Sequence, residues 1–458
     1  MELTQSFQKL VSEFQCLFTA PTFLTFQTLV SGWLLSPQRH RFVTEVIQSA
    51  GAVRQGHHSR YHRFFSHAAW SLDGLFRVLL ILLVRVFAPE GTIQLSLDDT
   101  LCRKRGLTLF GGGMHYDPLI SSRAKSLVSW GHDWVVVCLV VKLPFWSPTK
   151  VWSLPILCRL YRNRQGLTKG KNKTGAKKTK AAKKSPTHRT RPELAVEMLD
   201  LIASWLPERK FMVTGDSAYG GRSVLSHLPQ NMDLISRVHP QGRLYAPAPP
   251  RQPGQKGRTR VKGELLSDRE TWANDPQQPW RPVKFDQFGL HATLLIKTRQ
   301  ALYYAAGRSR LLTIVLVRDK LGQRPDQMFY CSDLKLSGRE ILATYAGRWS
   351  IEVTFENTKQ LLGFEDPANR LPLAVQRTAP LALVLYSLCI LWFHVEGHRH
   401  LQFPDRPWYK RKKEPSFADI LMTLRRQTWK TVLSGLASRS TLEKTRLVQI
   451  TDFLCRVA

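Results

Sequence analysis

Negative charge is what this chain has least of. Only 34 of its 458 residues are Asp or Glu, against 67 Lys and Arg, which leaves a formal net charge of +33 and a sequence pI near 10.3. That excess goes far beyond what solubility needs and marks a binder of polyanions: nucleic acid, or an anionic membrane surface. Cysteine is sparse too. The seven cysteines (Cys16, Cys102, Cys138, Cys158, Cys331, Cys389, Cys455) include no CxxC pair, which argues against disulfide staples and a zinc module and for a reducing compartment. The expected location is the cytoplasm, on DNA. Long uncharged apolar runs are nearly absent as well. LFRVLLILLVRVF carries Arg77 and Arg85 and is too short to span a bilayer. Thr378–Val395 is uncharged and close to the spanning minimum of about 18 residues, but it contains Pro380 and reads as a buried core helix rather than a membrane span. Met1–Leu10 lacks the basic start and apolar run of a secretory signal, and no internal repeat is found. What remains is 43% hydrophobic, enough for a sizeable core. The length suggests roughly three domains.

The chain divides as follows. Residues 1–88 read as all-helical, with a basic, aromatic run at Arg60, Tyr61, His62, Arg63, Phe64, Phe65 and His67 that fits a DNA-binding helix or an ordinary amphipathic helix with a cationic outer face. Residues 89–238 begin with a strand at Thr92–Asp98, where Ile93, Leu95 and Leu97 alternate with polar residues. By that parity Asp98 continues the polar face and Asp99 falls in line with the leucines; Asp98 is the better candidate for a projecting carboxylate and Asp99 the alternative. Arg103, Lys104 and Arg105 form a basic turn able to grip a phosphate backbone near the acid. WGHDWVVVCLVVKLP reads as a buried strand, with His132 and Asp133 structural.

Residues 167–191 are Lys-rich and apolar-poor, a loop expected to stay disordered and to touch phosphates. PELAVEMLDLIASWL then gives an amphipathic helix, and RKFMVTGDSAYG a short strand ending in Asp216. Residues 239–335 read as a flexible connection followed by a β-rich insertion. Residues 336–396 return to helix and carry Glu352, and residues 397–458 form a basic, helical C-terminal region.

Two acids at the carboxyl ends of strands and a third on a helix form the strongest constellation. Tyr345, Arg348, Glu352 and Lys359 fall within roughly 60° of one another on a single helix face, at about 100° per residue. An acid among those partners suits phosphodiester chemistry: the carboxylate takes a divalent cation while Tyr, Arg and Lys hold the backbone being cut. Three converging carboxylates repel one another unless cations join them, so Asp98, Asp216 and Glu352 imply two Mg²⁺ ions, or Mn²⁺. Glu356, one turn on, competes with Glu352 for the third place.

LSLDDT, VTGDSAYG and the spacing of Tyr345, Arg348, Glu352 and Lys359, together with WGHDWVVV, TRPELA and KQLLGFEDPANR, resemble bacterial insertion-sequence transposases of the DDE type, over about Arg60 to Phe393. The resemblance implies an α/β fold: an RNase H-like catalytic core, a β-rich insertion domain before the Glu-bearing helix, and an all-α N-terminal DNA-binding region. It assigns Asp98, Asp216 and Glu352 as catalytic metal ligands, and Tyr345, Arg348 and Lys359 as DNA contacts. It further implies cleavage of double-stranded DNA at terminal inverted repeats, joining to target DNA, and a homodimer or higher multimer on DNA. Trp272 or Trp280 could hold a flipped base, though packing is the stronger reading for both.

Overall fold

The computed structural model describes residues 2–36, 41–122, 124–163, 188–254, 256–287, 290–322, 324–403 and 412–437. The Lys-rich segment through residue 187, and Arg406, Lys410 and Arg411 of the basic C-terminal stretch, lie outside them.

In chain order, the first five helices are α1 (Gln5–Ser12), α2 (Ala20–Leu35), α3 (Val43–Ser49), α4 (Ser59–Ser66) and α5 (Leu72–Phe87). Four strands follow: β1 (Ile93–Arg103), β2 (Gly113–Tyr116), β3 (Val128–Leu143) and β4 (Ser147–Tyr161). Then come α6 (Arg191–Trp205), β5 (Phe211–Gly215), α7 (Arg222–Leu225) and β6 (Met232–Arg237). The next stretch holds α8 (Arg269–Asn274), β7 (Arg281–Gln287), β8 (Leu290–Leu302), α9 (Tyr304–Gly307), β9 (Leu311–Asp319) and β10 (Gln327–Cys331). The last described helices are α10 (Gly338–Gly347), α11 (Ser350–Leu362), α12 (Pro372–Val395) and α13 (Phe417–Ala437).

Among the described residues, ten strands join one mixed sheet in the order β2-β3-β1-β5-β6-β10-β9-β8-β7, with β4 also paired to β3. β1, β5 and β6 run parallel, while β3 is antiparallel to β1. The strands from 281 to 331 therefore extend the same sheet: β10 pairs antiparallel with β6.

Local sequence explains the ends of the elements that carry the site. Thr190 and Glu193 form a reciprocal capping box at the start of α6, and Ser337 and Glu340 another at α10, each satisfying amides that the first turn leaves orphaned. Gly363 closes α11 in the left-handed conformation at φ 65°. β1, expected to stop at Asp98, runs on to Arg103 because β3 supplies partners along its whole outer edge, from Leu95↔Leu139 to Arg103↔Gly131. On its other edge the ladder with β5 ends at Leu97↔Gly215.

Helices cover both faces of the sheet. α11 and α12 lie on one: Ser350 Oγ is 2.6 Å from Ser153 Oγ, Thr354 Oγ1 donates to the Ser153 carbonyl at 2.7 Å, and Ser387 Oγ to the Pro155 carbonyl at 2.9 Å. α5 and α6 lie on the other, where Arg159 bridges Asp73 and Glu197. α12 is long and apolar enough to cross a membrane, and 89% of its most apolar window is buried inside the protein. Its neighbours account for that: Phe7 packs on Trp392, and Arg377 donates to the carbonyls of Phe65, Ala68 and Trp70. The N-terminal helices also brace the Glu352 helix. Trp33 Nε1 donates to the Leu362 carbonyl at 2.8 Å, and Arg41 Nη2 to that of Leu361 at 3.1 Å. In α4 the rings Tyr61, Phe64 and Phe65 are core, while His62, Arg63 and His67 face outward.

Candidate active site

The β1–β5 ladder fixes the first two acids. Its last rung pairs Leu97 with Gly215, so Asp98 and Asp216 follow side by side from adjacent parallel strands. β5 ends there and the chain turns: the Asp216 carboxylate accepts the Ala218 amide at 2.9 Å, and its carbonyl accepts the Tyr219 amide at 3.2 Å and Ser236 Oγ at 2.8 Å. Gly220 is required in that turn, since a Cβ there would stand 2.2 Å from Ser236 Oγ.

Asp98 and Asp99 face opposite sides of the sheet. Asp98 accepts from Arg348 Nη1 at 2.5 Å, and Arg348 Nη2 lies 3.5 Å from Glu352 Oε1. A single guanidinium thus joins the first acid to the third. Burial pushes Asp98 up to about 7, with Asp216 and Asp99 adding to the rise and Arg348 opposing it. Glu352 is raised by its partial burial, against the pull of Arg348, with Asp216 again contributing. Asp216 therefore stands close enough to raise both Asp98 and Glu352, on the α11 side. Glu356 stays apart, exposed and hydrogen-bonded to Gln360 at 3.3 Å.

Asp99 belongs to a second network. Tyr219 donates to it at 2.6 Å, and Arg191, the first residue of α6, reaches it at 3.4 Å while also pairing with Asp133. His115 Nδ1 stands 3.7 Å from Asp133, and burial holds that imidazole down at about 4. Burial pushes Asp99 up to about 6, with Asp133 raising it further and Arg191 opposing. These partners anchor the strand end and turn that present Asp98 and Asp216. Sequence reasoning left Arg191, Tyr219 and Asp133 out of the site. The available signal was positional: Tyr219 lies three residues after Asp216, and Arg191 opens the helix in TRPELA.

The expected phosphate contacts divide. Tyr345, Arg348, Glu352 and Lys359 do not share one uninterrupted helix: the backbone breaks between α10 and α11, and tight bonds bridge the gap, Arg348 to Tyr345 at 3.1 Å and Trp349 to Ala346 at 3.2 Å. Gly347 weakens the helix there, and the Ser350 hydroxyl takes the Gly347 carbonyl at 2.8 Å. Tyr345 packs on Phe329 with ring centroids 4.7 Å apart, and Arg348 lies over its ring. Lys359 donates to the Leu101 carbonyl at 2.7 Å and pairs with Glu365 at 3.1 Å, which seats it beside β1.

In the basic turn, Arg103 is spent on a two-pronged pair with Asp117 and Lys104 on the carbonyls of Glu365 and Pro367, leaving Arg105 exposed. His132 is buried, 2.9 Å from the Phe110 carbonyl. Trp272 is fully buried with its Nε1 donated to Gln278, and Trp280 donates to the Ala273 carbonyl; both are packed.

The family model of the DDE superfamily endonucleases matches residues 13–289. The chain belongs to that family. The match includes Asp98 and Asp216, and Glu352 lies beyond it. No curated protein matches the chain. DDE superfamily nucleases generally use divalent metal ions. Among the described residues no three His, Cys, Asp or Glu side chains stand together closely enough to hold one. The donor set nevertheless suits a hard cation: all three candidates are carboxylates, and Arg348 occupies the ground between two of them with its own positive charge.

Proposed function

We propose that the chain is a DNA transposase acting on the terminal inverted repeats of an insertion sequence, by metal-dependent strand cleavage followed by transfer of the cut end to target DNA. One observation carries the reading. Asp98 and Asp216 stand on adjacent parallel strands, and Arg348 links Asp98 to Glu352 from the covering helix. This supports an RNase H-like core in which those three carboxylates serve one centre. They would hold Mg²⁺, or Mn²⁺, most simply as two ions, which would supply Lewis-acid activation of a water or a 3′ hydroxyl and charge stabilisation at the leaving oxygen.

The chain's own residues do the remaining work. Arg348, released from Asp98, is placed to pair with the phosphate being cut, and its planar fork suits two oxygens of that group. Tyr345 limits where the guanidinium can swing. Lys359, seated on the Leu101 carbonyl three residues along β1 from Asp98, adds charge for the flanking backbone once its pair with Glu365 opens. Arg191 and Tyr219 keep Asp99 occupied on the opposite face and so hold the strand end still. Synapsis of two DNA ends calls for at least two copies of the chain. The setting is the bacterial cytoplasm, on the nucleoid.

The test is incubation of the protein with Mg²⁺ and a labelled duplex carrying the inverted repeat that flanks its gene, resolved on a denaturing gel beside Glu352→Gln. Expected are cuts at the element boundary that the variant does not make although it binds the duplex equally well. Equal cutting by the variant would remove Glu352 from the centre. Capture of a pre-cut end by a supercoiled plasmid then separates a transposase from a nuclease that cuts without joining.

A further inference from the structure

Six of the twenty large hydrophobic side chains exposed among the described residues fall between 107 and 128: Leu107, Met114, Tyr116, Leu119, Ile120 and Val128. Contiguous exposed apolar surface marks a contact site, and part of this segment supplies it. Three of the six belong to the β2–β3 hairpin, which ends the sheet. The pairs Met114↔Trp130 and Tyr116↔Val128 put all four side chains on one sheet face, and Met114, Tyr116 and Val128 are 45%, 54% and 53% exposed.

That face is built rather than incidental. Gly112 lies so close to the Trp130 ring that a Cβ would stand 2.7 Å from it, and Trp130 Nε1 donates to the Gly106 carbonyl at 2.8 Å. It is also the face that carries Asp98, because Asp98 pairs with Val136 and even-numbered residues of β3 share a side. At roughly 3.3 Å per residue, Trp130 lies about 20 Å along β3 from Val136. Between them Trp134 is buried against Phe364, so a duplex reaching from Asp98 to the hairpin passes over that segment and spans about six base pairs or more, at about 3.4 Å each.

The charge around the patch selects its occupant. Asp117 is the only acid between residues 104 and 130, and Arg103 and Ser129 consume it. Arg105 and Lys125 remain exposed at the rim. A second copy of a chain with net charge +33 meets this rim with like charge, whereas DNA meets it with the opposite one. We propose that the β2–β3 hairpin is a DNA platform, on which Met114, Tyr116, Val128 and Trp130 pack against sugars and unstacked bases while Arg105 and Lys125 hold the backbone. The inference rests on the reading of the chain as a DNA-processing enzyme.

The experiment is fluorescence anisotropy of the full-length protein with a 5′-labelled duplex of about 40 base pairs bearing a frayed end, across a salt series. Loss of the stacking surface in Met114→Ser/Tyr116→Ser is expected to weaken binding about tenfold with the salt slope unchanged, since apolar contacts release no counterions. Tyr116→Phe is expected to bind as wild type, and Lys125→Ala to reduce the slope by about one. Both serine substitutions are at exposed positions, and circular dichroism checks the fold. Equal affinity of Met114→Ser/Tyr116→Ser and wild type overturns the platform while leaving the enzyme reading intact. So does a change confined to the sedimentation coefficient, which would make the hairpin an interface between copies. Wild type that binds no duplex at any salt overturns both.

Discussion

At the scale of single residues, the distinctive feature is one guanidinium shared between two acids. Removing Arg348 leaves Asp98 buried without its counter-charge, so Arg348→Ala is expected to raise the Asp98 pKa further and to abolish cleavage, read by the gel assay. The same burial makes the protein's stability pH-dependent. An unfolded Asp titrates near about 3.9. Folded Asp98 titrates at about 7 and Asp99 at about 6, so between these limits the folded chain holds protons the unfolded chain has lost. Stability from these groups is full below about pH 4 and is lost as pH rises through 6 and 7. Buried His115 and His132, both held down at about 4, act in the opposite sense over the same range, so the Asp98 contribution is read as a difference: the melting temperature of metal-free wild type should fall relative to that of Asp98→Asn between pH 5 and pH 8. A difference that stays constant or moves the other way would contradict the burial argument. The alternation Ile93, Leu95, Leu97 already separated Asp98 from Asp99 in the sequence, because strand parity is local. The pairing of Asp99 with Tyr219 and Arg191 was not legible, since both partners arrive from distant elements.

At the scale of elements, α11 matters most, because it carries Glu352 and Lys359 between a broken start and a glycine stop. Gly363 adopts φ 65°, and a Cβ there would stand 2.2 Å from the Asp366 carboxylate, which also accepts the Arg41 amide at 2.8 Å. Gly363→Ala is expected to cost about 1 kcal/mol or more, seen as a lower denaturant midpoint at unchanged slope. Ser337→Ala should cost about 1 kcal/mol by removing the α10 capping box. Helix periodicity showed the four-residue signature on one side of a helix and missed the break at Gly347, where the Ser350 hydroxyl competes for the backbone. The basic turn shows a similar limit. Charge alone suggested three free cations, and the fold spends Arg103 and Lys104 on internal acceptors.

At the scale of the whole molecule, charge and topology work together. A chain of net charge +33 that holds DNA through six to ten phosphates loses about 10³- to 10⁵-fold in affinity between 50 and 200 mM salt. Titrations across that range should show so steep a dependence; a flat response would contradict the electrostatic account. The mixed α/β character and the order of helical and β-rich stretches were legible from periodicity. That the strands from 281 to 331 continue the same sheet from β6 was not, because strand pairing depends on edges that no local pattern specifies. The apolar helix α12 was legible as a core helix despite its length, from Pro380 and its place after the Glu352 helix, and the fold buries it.

The central claim is that Asp98, Asp216 and Glu352 serve one cation centre. Its most direct test is iron-mediated self-cleavage: Fe²⁺ replaces Mg²⁺, peroxide and ascorbate generate hydroxyl radicals at the bound ion, and the backbone cuts are mapped by mass spectrometry. The account requires cuts clustered near residues 98, 216 and 352, suppressed by excess Mg²⁺ and lost in Asp98→Asn. Cuts at one of these segments without the other two, or a pattern unchanged in Asp98→Asn, would contradict it.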